Sequence, residues 1–308
     1  MITYSNVPSP YPSIEVNEIT FSVTRNLQAA LRRLRHKDIE RRLWIDQICI
    51  DQSNLGERNE LVSVMQLIYG FAERVVVWVG EGTSDVHGAV ALVKGVAHLF
   101  DDPETMLEQA IANFTVLRQW KALNRLLERT WWKRTWTVQE FVLAPHVMSL
   151  CGRRVFSLTG LRRLPTVIDR LKSHKEMWPY VGGVSTFGLT TVFASRKALR
   201  YDGMNTDSGQ LNMVGINSLQ LILQVLARYR SREITDPRDK VYALMGLAKD
   251  VRDVGVEGLT YSIQADYGKS VAEVYRDTTL FALLSTSSIE ILSHCREGQE
   301  TFASWVPD

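Results

Sequence analysis

The first half of the chain alternates short apolar, β-branched runs with amphipathic stretches. Leu43-Trp44-Ile45-Asp46-Gln47-Ile48-Cys49-Ile50 is apolar enough for a buried strand despite its two polar members. A polar turn, Asp51-Gln52-Ser53-Asn54, follows, and Asn54 with Glu57 three residues on matches a capping box. Leu61, Val64, Met65 and Ile68 then recur at i, i+3, i+4 and i+7, the signature of one buried helix face. Val75-Val76-Val77-Trp78-Val79 is a second buried strand, stopped by Gly80. Strand, helix and strand within about forty residues predict a βαβ unit with parallel strands, which places this half in the α/β class.

Residues 88–127 read as helices broken by a loop at Asp101-Asp102-Pro103. The tryptophan-rich stretch Trp131 to Trp136 leads into a helix through Val142 that ends before Pro145. His146 to Phe156 reads as a hairpin turning at Gly152. Val181 to Asn217 is rich in Gly, Ser, Thr and Asn and predicts long loops. Leu219, Ile222, Leu223 and Leu226 mark another amphipathic helix, and Val271 to Leu284 a further one. Asp236-Pro237 reads as an N-cap followed by proline at the first helical position. The closing Ala303-Ser304-Trp305-Val306-Pro307-Asp308 has no terminating element, so the polypeptide is expected to continue. No internal repeat is present.

Composition adds mainly exclusions. With 308 residues, 45% hydrophobic and 23% charged, the chain has the make-up of a soluble globular protein. A net charge of +2 gives no support to nucleic-acid or membrane-surface partners. Cys49, Cys151 and Cys295 match neither a disulfide framework nor metal-ligand spacing. With no apolar signal segment after Met1 and no span-length apolar run, a cytoplasmic location is expected. Gly268-Lys269-Ser270 lacks the earlier glycine of a P-loop, since Ile263 stands there. No dinucleotide fingerprint, zinc-binding histidine pair or nucleophile elbow is present, and Gly183-Val184-Ser185-Thr186-Phe187 fails the last at Phe187. No metal site and no bound cofactor are expected.

The strand-turn-helix is less generic. Leu43 to Gln52, Glu57-Arg58, Met65, Ile68-Tyr69, Ala72 and Val77-Trp78-Val79-Gly80 resemble the central signature of the fungal heterokaryon-incompatibility (HET) domain. Arg134-Thr135-Trp136-Thr137-Val138-Gln139-Glu140 resembles that family's later tryptophan-and-glutamate motif. Asp236 to Leu247 is similar to a segment that often follows the domain, and Ser304 to Asp308 also has a family look. These matches keep their order over most of the chain. Two positions depart from the pattern. Asn6 and Val7 stand where the family carries a Trp-Gly pair, and Leu61 where it often has Gln.

The resemblance implies a fungal protein of regulated cell death after non-self recognition. It also implies a fold similar to Toll/interleukin-1 receptor (TIR) domains, some of which cleave NAD at the nicotinamide-ribose bond. The TIR catalytic glutamate sits at W-C-x-x-E spacing, and Trp136 to Glu140 has the same i, i+4 interval with Thr137 in place of cysteine. On these terms Glu140 is the candidate catalytic residue. The candidate substrate-binding set is Trp136, Asp46, Asp51, Gln52, Arg58, Arg134 and Gln139.

Each candidate has a structural alternative. Trp136 and Glu140 share a helix face, so an aromatic plane and a carboxylate can line one pocket. A fixed carboxylate stabilises the cationic ribose that forms as an N-glycosidic bond breaks; alternatively Glu140 pairs with Arg134 or Lys133. Asp46 inside an apolar strand needs a partner, either an arginine such as Arg58 or Arg134 or a ligand. Asp51, Gln52 and Asn54 follow the carboxyl end of that strand, where α/β sheets bind ligands, or they simply form a turn and cap. Arg58 faces a phosphate or solvent. Trp44, Trp78, Trp131 and Trp132 read as core, and Cys49 as a buried inert thiol. Asp236 and Pro237 read as a cap, and Arg238 with Asp239 as a local ion pair.

The expected architecture is an α/β, TIR-like or flavodoxin-like parallel sheet with flanking helices over residues 1–157. A mainly helical, loop-rich region over 158–308 packs on it. Three functions fit: an NAD-cleaving hydrolase acting on a nucleotide substrate, a non-enzymatic self-associating signalling module, or a diverged HET-fold enzyme recruited to another small molecule.

Overall fold

A computed structural model describes residues 2–4, 11–99, 103–113, 117–201, 222–248, 254–256, 259–286, 289–295 and 303–307. In chain order it begins with strands β1 (Ile2–Tyr4), β2 (Ser13–Val16) and β3 (Ile19–Ser22), then helices α1 (Arg25–Leu34), α2 (Asp46–Cys49) and α3 (Leu55–Phe71). Strand β4 (Val75–Trp78) precedes α4 (Val86–Ala97), α5 (Pro103–Asn113), α6 (Leu117–Leu127) and α7 (Trp136–Leu143). Strands β5 (Val147–Cys151) and β6 (Arg154–Val155) lead to α8 (Leu158–Lys172), α9 (Trp178–Val181) and α10 (Phe187–Tyr201). Helices α11 (Ile222–Tyr229) and α12 (Asp239–Tyr242), strands β7 (Val254–Val256) and β8 (Leu259–Tyr261), and α13 (Val271–Thr286) complete the series. The fold is mixed α/β and mostly helical, with small sheets. Asn6, Val7, Asp101, Asp102 and Leu219 lie outside the described residues.

The chain divides into two units. Unit 1 holds residues 1–51, 76–132 and 147–190. At its start β1, β2 and β3 form an antiparallel meander, and Ile14, Val23 and Leu31 are buried beneath it with Ile45 and Ile48 packed against them. That packing explains a correction. Residues 43–50 form no strand; Ile45 caps the single turn of α2. Ile45 and Ile48, three apart, fall on one side of a helical turn, which leaves Asp46, Gln47 and Cys49 exposed. A strand would have alternated apolar and polar residues across its two faces. The predicted βαβ unit therefore does not form.

Val79 N–H donates to Leu150 O at 2.8 Å, and Val75 N–H to His146 O at 2.8 Å, so β4 and β5 run parallel. The predicted hairpin is present, with Leu150 opposite Val155 and Gly152 at φ +52° in its turn. Arg129 locks the end of this sheet by donating to Val79 O, Glu81 O and the Cys151 thiol. Helices α4, α6 and α8 pack together beside it. The i, i+3, i+7 series Leu161, Leu164 and Ile168 is fully buried, about 2 kcal/mol of burial for each side chain.

Unit 2 holds residues 52–75, 133–146 and 191–308. Helix α3 starts as predicted, with Asn54 Oδ1 accepting from Glu57 N–H at 3.2 Å. The stretch predicted as loops contains α10, because Leu189, Val192 and Arg196 at i, i+3 and i+7 are buried on one face. Tertiary packing there overrides the Gly, Ser and Thr content. Arg196 reaches the C-terminal end of α7 and donates to Phe141 O, Ala144 O (2.7 Å) and Pro145 O (3.2 Å), satisfying carbonyls that a helix end leaves open. At the other end, Thr135 N–H donates to Glu233 O and Glu233 N–H to Lys133 O, a parallel bridge. Buried Arg232 adds a bond to Arg134 O at 3.0 Å. Helix α7 is thus fixed at both ends.

Candidate functional site

Helix α7 is buried on most of its surface. Thr137, Val138, Gln139, Phe141 and Val142 are buried, while Trp136, Glu140 and Leu143 are half-buried. Those three stand at i, i+4 and i+7, so they form one stripe along the helix, and the predicted pair Trp136 and Glu140 lies on it.

Trp136 is held by residues distant in sequence. Its indole N–H donates to Asp239 Oδ2 at 3.0 Å, and the other oxygen of Asp239 accepts the Tyr267 hydroxyl at 2.6 Å. Asp239 is only 7% exposed. Burial raises its carboxyl above the ordinary value, and the two donors partly oppose that. Burial also pushes the Tyr267 phenol up strongly, with the neighbouring Asp239 charge adding to it, so this hydroxyl stays a donor.

Arg58 enters the same network from α3. Its guanidinium lies 3.4 Å from the centre of the Tyr267 ring, and its Nη2 is 3.5 Å from Asp236 Oδ2. Arg238 grips Asp236 through both carboxylate oxygens at 2.9 and 2.8 Å, and its remaining nitrogen donates to Tyr267 O at 2.6 Å. These hydrogen bonds, led by the Arg238 side chain, hold the Asp236 carboxyl below its ordinary value. Asn59 accepts from Tyr267 N–H at 2.8 Å, and the Tyr242 hydroxyl donates to Asp266 O at 2.9 Å. The result is a rigid chain of contacts from Arg58 through Tyr267 and Asp239 to the indole of Trp136.

Gln139 faces inward. It is 2% exposed, and its amide sits where a Cβ on Gly246 would lie only 2.5 Å away. Among the described residues its Oε1 has no hydrogen-bond donor. Arg134 is exposed and contributes its carbonyl oxygen, which Thr137 Oγ1 and Arg232 both contact. Gln52 is exposed in the turn before α3. Asp46 and Asp51 lie in unit 1, both exposed; Asp46 opens α2 and accepts from Gln47 N–H at 2.8 Å. The buried Asp46 carboxylate needing an arginine is therefore corrected: the residue is solvated, and the carboxylate beside Arg58 is Asp236. Cys49 is likewise exposed rather than buried.

Sequence reasoning missed Asp239 and Tyr267. Arg238 and Asp239 do not form the expected local pair, because Arg238 turns back to Asp236 while Asp239 faces Trp136. Asp236 is not a helix cap either. It accepts from Arg238 N–H at 3.1 Å in a turn, and α12 starts three residues later. The signal present in the sequence was the similarity of residues 236–247 to a segment accompanying the domain; Tyr267 carried none. Among the described residues no group of three or more metal-ligating side chains occurs, and no helix is long and apolar enough to cross a membrane.

Comparison with known proteins bears on this arrangement. Residues 3–140 match the family described as Heterokaryon incompatibility protein (HET), a match that ends at Glu140. Over those residues the chain is similar to the HET domain family. It is 27% identical over 345 residues to Heterokaryon incompatibility protein 6, OR allele, of Neurospora crassa, across 96% of this chain and 50% of that protein. The chain thus spans about half the length of the curated relative it matches. No solved structure matches it. The matched HET segment includes Arg58, Trp136 and Glu140, whereas Asp236, Asp239 and Tyr267 lie after it.

Proposed function

We propose that this chain is a HET-family protein that acts in fungal non-self recognition and regulated cell death by hydrolysing NAD, with Glu140 as the catalytic residue. The observation that carries the reading is the half-buried stripe of α7, where Trp136 and Glu140 stand one turn apart on a helix otherwise buried and held at both ends. Residues 1–157 form the HET domain on this proposal, and the parallel β4–β5 pair is the core of a TIR-like sheet. Residues 158–308 are its helical companion.

Hydrolysis needs little from the protein beyond orientation and charge. As the bond between ribose C1′ and the nicotinamide nitrogen breaks, its electron pair leaves with neutral nicotinamide and the ribose becomes cationic. The Glu140 carboxylate stabilises that cation, or orients it through a ribose hydroxyl, and water adds at C1′ and loses a proton. Trp136 offers a planar surface for stacking, and its hydrogen bond to Asp239 fixes the plane of the ring. Arg58, held against Tyr267 and Asp236, acts on the indole through that network. Asp46, Asp51, Gln52, Arg134 and Gln139 remain candidate substrate contacts. Nicotinamide release from NAD by the wild type and by Glu140→Gln tests the reading.

Self-association without catalysis has one specific observation in its favour. Leu67 and Phe71, one turn apart on α3, are 38% and 71% exposed, an apolar pair suited to contact with a second copy. Sedimentation of Phe71→Ser beside wild type tests it; a wild type that stays monomeric at every accessible concentration rules that assembly out.

A further inference from the structure

Unit 2 contains a pocket of about 90 Å³ that is separate from the Trp136 network. Its walls come from Leu223 and Leu226 of α11, Val241 of α12, and Leu244 and Ile291. Hydroxyl groups also line it, but their hydrogens are committed within the fold. Thr278 donates to Val274 O at 2.7 Å, Thr279 to Tyr275 O at 2.8 Å, Tyr275 to Pro237 O at 2.8 Å and Thr135 to Glu233 O at 3.2 Å. The interior therefore presents methyl and ring surface.

The remaining polar groups are of one kind. Arg230, Lys240 and His294 line the pocket, and no Asp or Glu does. Among the described ion pairs none involves these three side chains. Arg230 is exposed and Lys240 half-buried, which puts the arginine at the mouth. Two cations beside an apolar interior complement an anion with an apolar tail, since a ligand carboxylate gains charge-assisted bonds while its chain leaves water. Size narrows the class. An apolar cavity of roughly 150 Å³ holds benzene, so the smaller pocket here suits an unbranched chain of a few carbons.

We propose that this pocket binds a small unbranched carboxylic acid, with the alkyl chain among Leu223, Leu226, Leu244 and Ile291 and the carboxylate at Arg230 and Lys240. The site does not depend on NAD cleavage, since none of its lining residues belongs to the α7 stripe.

Calorimetric titration of the full chain with hexanoate, butanoate, hexanol, hexylammonium and acetate tests this. Hexanoate binds, each methylene between butanoate and hexanoate raises affinity about fourfold, hexanol binds at least about tenfold more weakly, and hexylammonium and acetate give no saturable heat. The Arg230→Gln, Lys240→Gln double variant lowers hexanoate affinity about tenfold and leaves hexanol unchanged. Ala227→Trp, which fills the pocket, abolishes both. Equal binding of hexanol and hexanoate, undiminished hexanoate binding by the double variant, or no hexanoate binding at millimolar concentration overturns the proposal.

Discussion

The indole nitrogen of Trp136 lies 3.0 Å from the carboxylate of Asp239, a residue 103 positions further along the chain. Tyr267 holds the second oxygen of the same carboxylate. One buried acid thus ties the aromatic residue of the HET motif to the C-terminal half of the sequence.

Replacing that acid leaves the Tyr267 hydroxyl and the Trp136 indole N–H without their acceptor. Asp239→Ala is expected to destabilise the protein by about 3 kcal/mol, while Trp136→Phe, which keeps a phenyl ring but removes the pyrrole N–H and leaves one oxygen of Asp239 without its donor, costs about 2 kcal/mol. Urea unfolding of both variants checks the order; equal losses contradict the role given to Asp239.

Asp236 predicts a pH dependence of definite sign. Its folded carboxyl is held below the ordinary carboxylate value, so the folded state binds fewer protons than the unfolded one in that window. Its stabilisation is complete above the unfolded value of about 3.9 and is lost as pH falls from there through the lowered folded value. Asp239, whose carboxyl is raised, acts oppositely, with stability falling as pH rises from the unfolded value through its raised one. Asp236→Asn is therefore expected to unfold with a weaker loss of stability between about pH 5 and 3 than wild type. Chemical denaturation across that range is the measurement, and an unchanged slope counts against the pairing.

Arg196 of α10 supports the C-terminal end of α7 rather than its stripe. Arg196→Met removes the donors to the carbonyls of Phe141, Ala144 and Pro145 while keeping much of the side-chain volume. The expected loss is on the order of 3 kcal/mol, with α7 fraying from its C-terminal end. Hydrogen exchange at residues 141–144 should accelerate more than in α8; uniform protection contradicts the assignment.

Gly246 marks a close approach to α7. A Cβ there would lie 2.5 Å from the Gln139 amide nitrogen and 2.7 Å from Gln66 Cβ. Gly246→Ala is expected to cost about 2 kcal/mol, partly recovered by Gln139→Ala in the same chain. A double-mutant cycle without coupling argues against that contact.

How much of this was legible in the sequence follows from how local each feature is. The Asn54 cap, α7 and the Gly152 hairpin rest on neighbouring residues and were readable. Residues 43–50 were not, because an apolar run with Asp46 and Gln47 inside fits a strand by composition. Only the packing of Ile45 and Ile48 beneath the N-terminal meander selects a helical turn. Helix α10 was hidden by residues that favour loops, its stabilising face being set by burial of Leu189, Val192 and Arg196. In the candidate site, Trp136 and Glu140 were visible through their spacing. The anchor was not, since Asp239 and Tyr267 meet Trp136 only after long-range folding.

The central claim is catalysis at Glu140. Purified chain incubated with NAD, with nicotinamide and ADP-ribose followed by chromatography, should release both in equal amounts, and Glu140→Gln, matched in fold by circular dichroism, should lower the rate at least about a hundredfold. Release that persists unchanged in Glu140→Gln, or no release by wild type at high concentration under crowding, contradicts it.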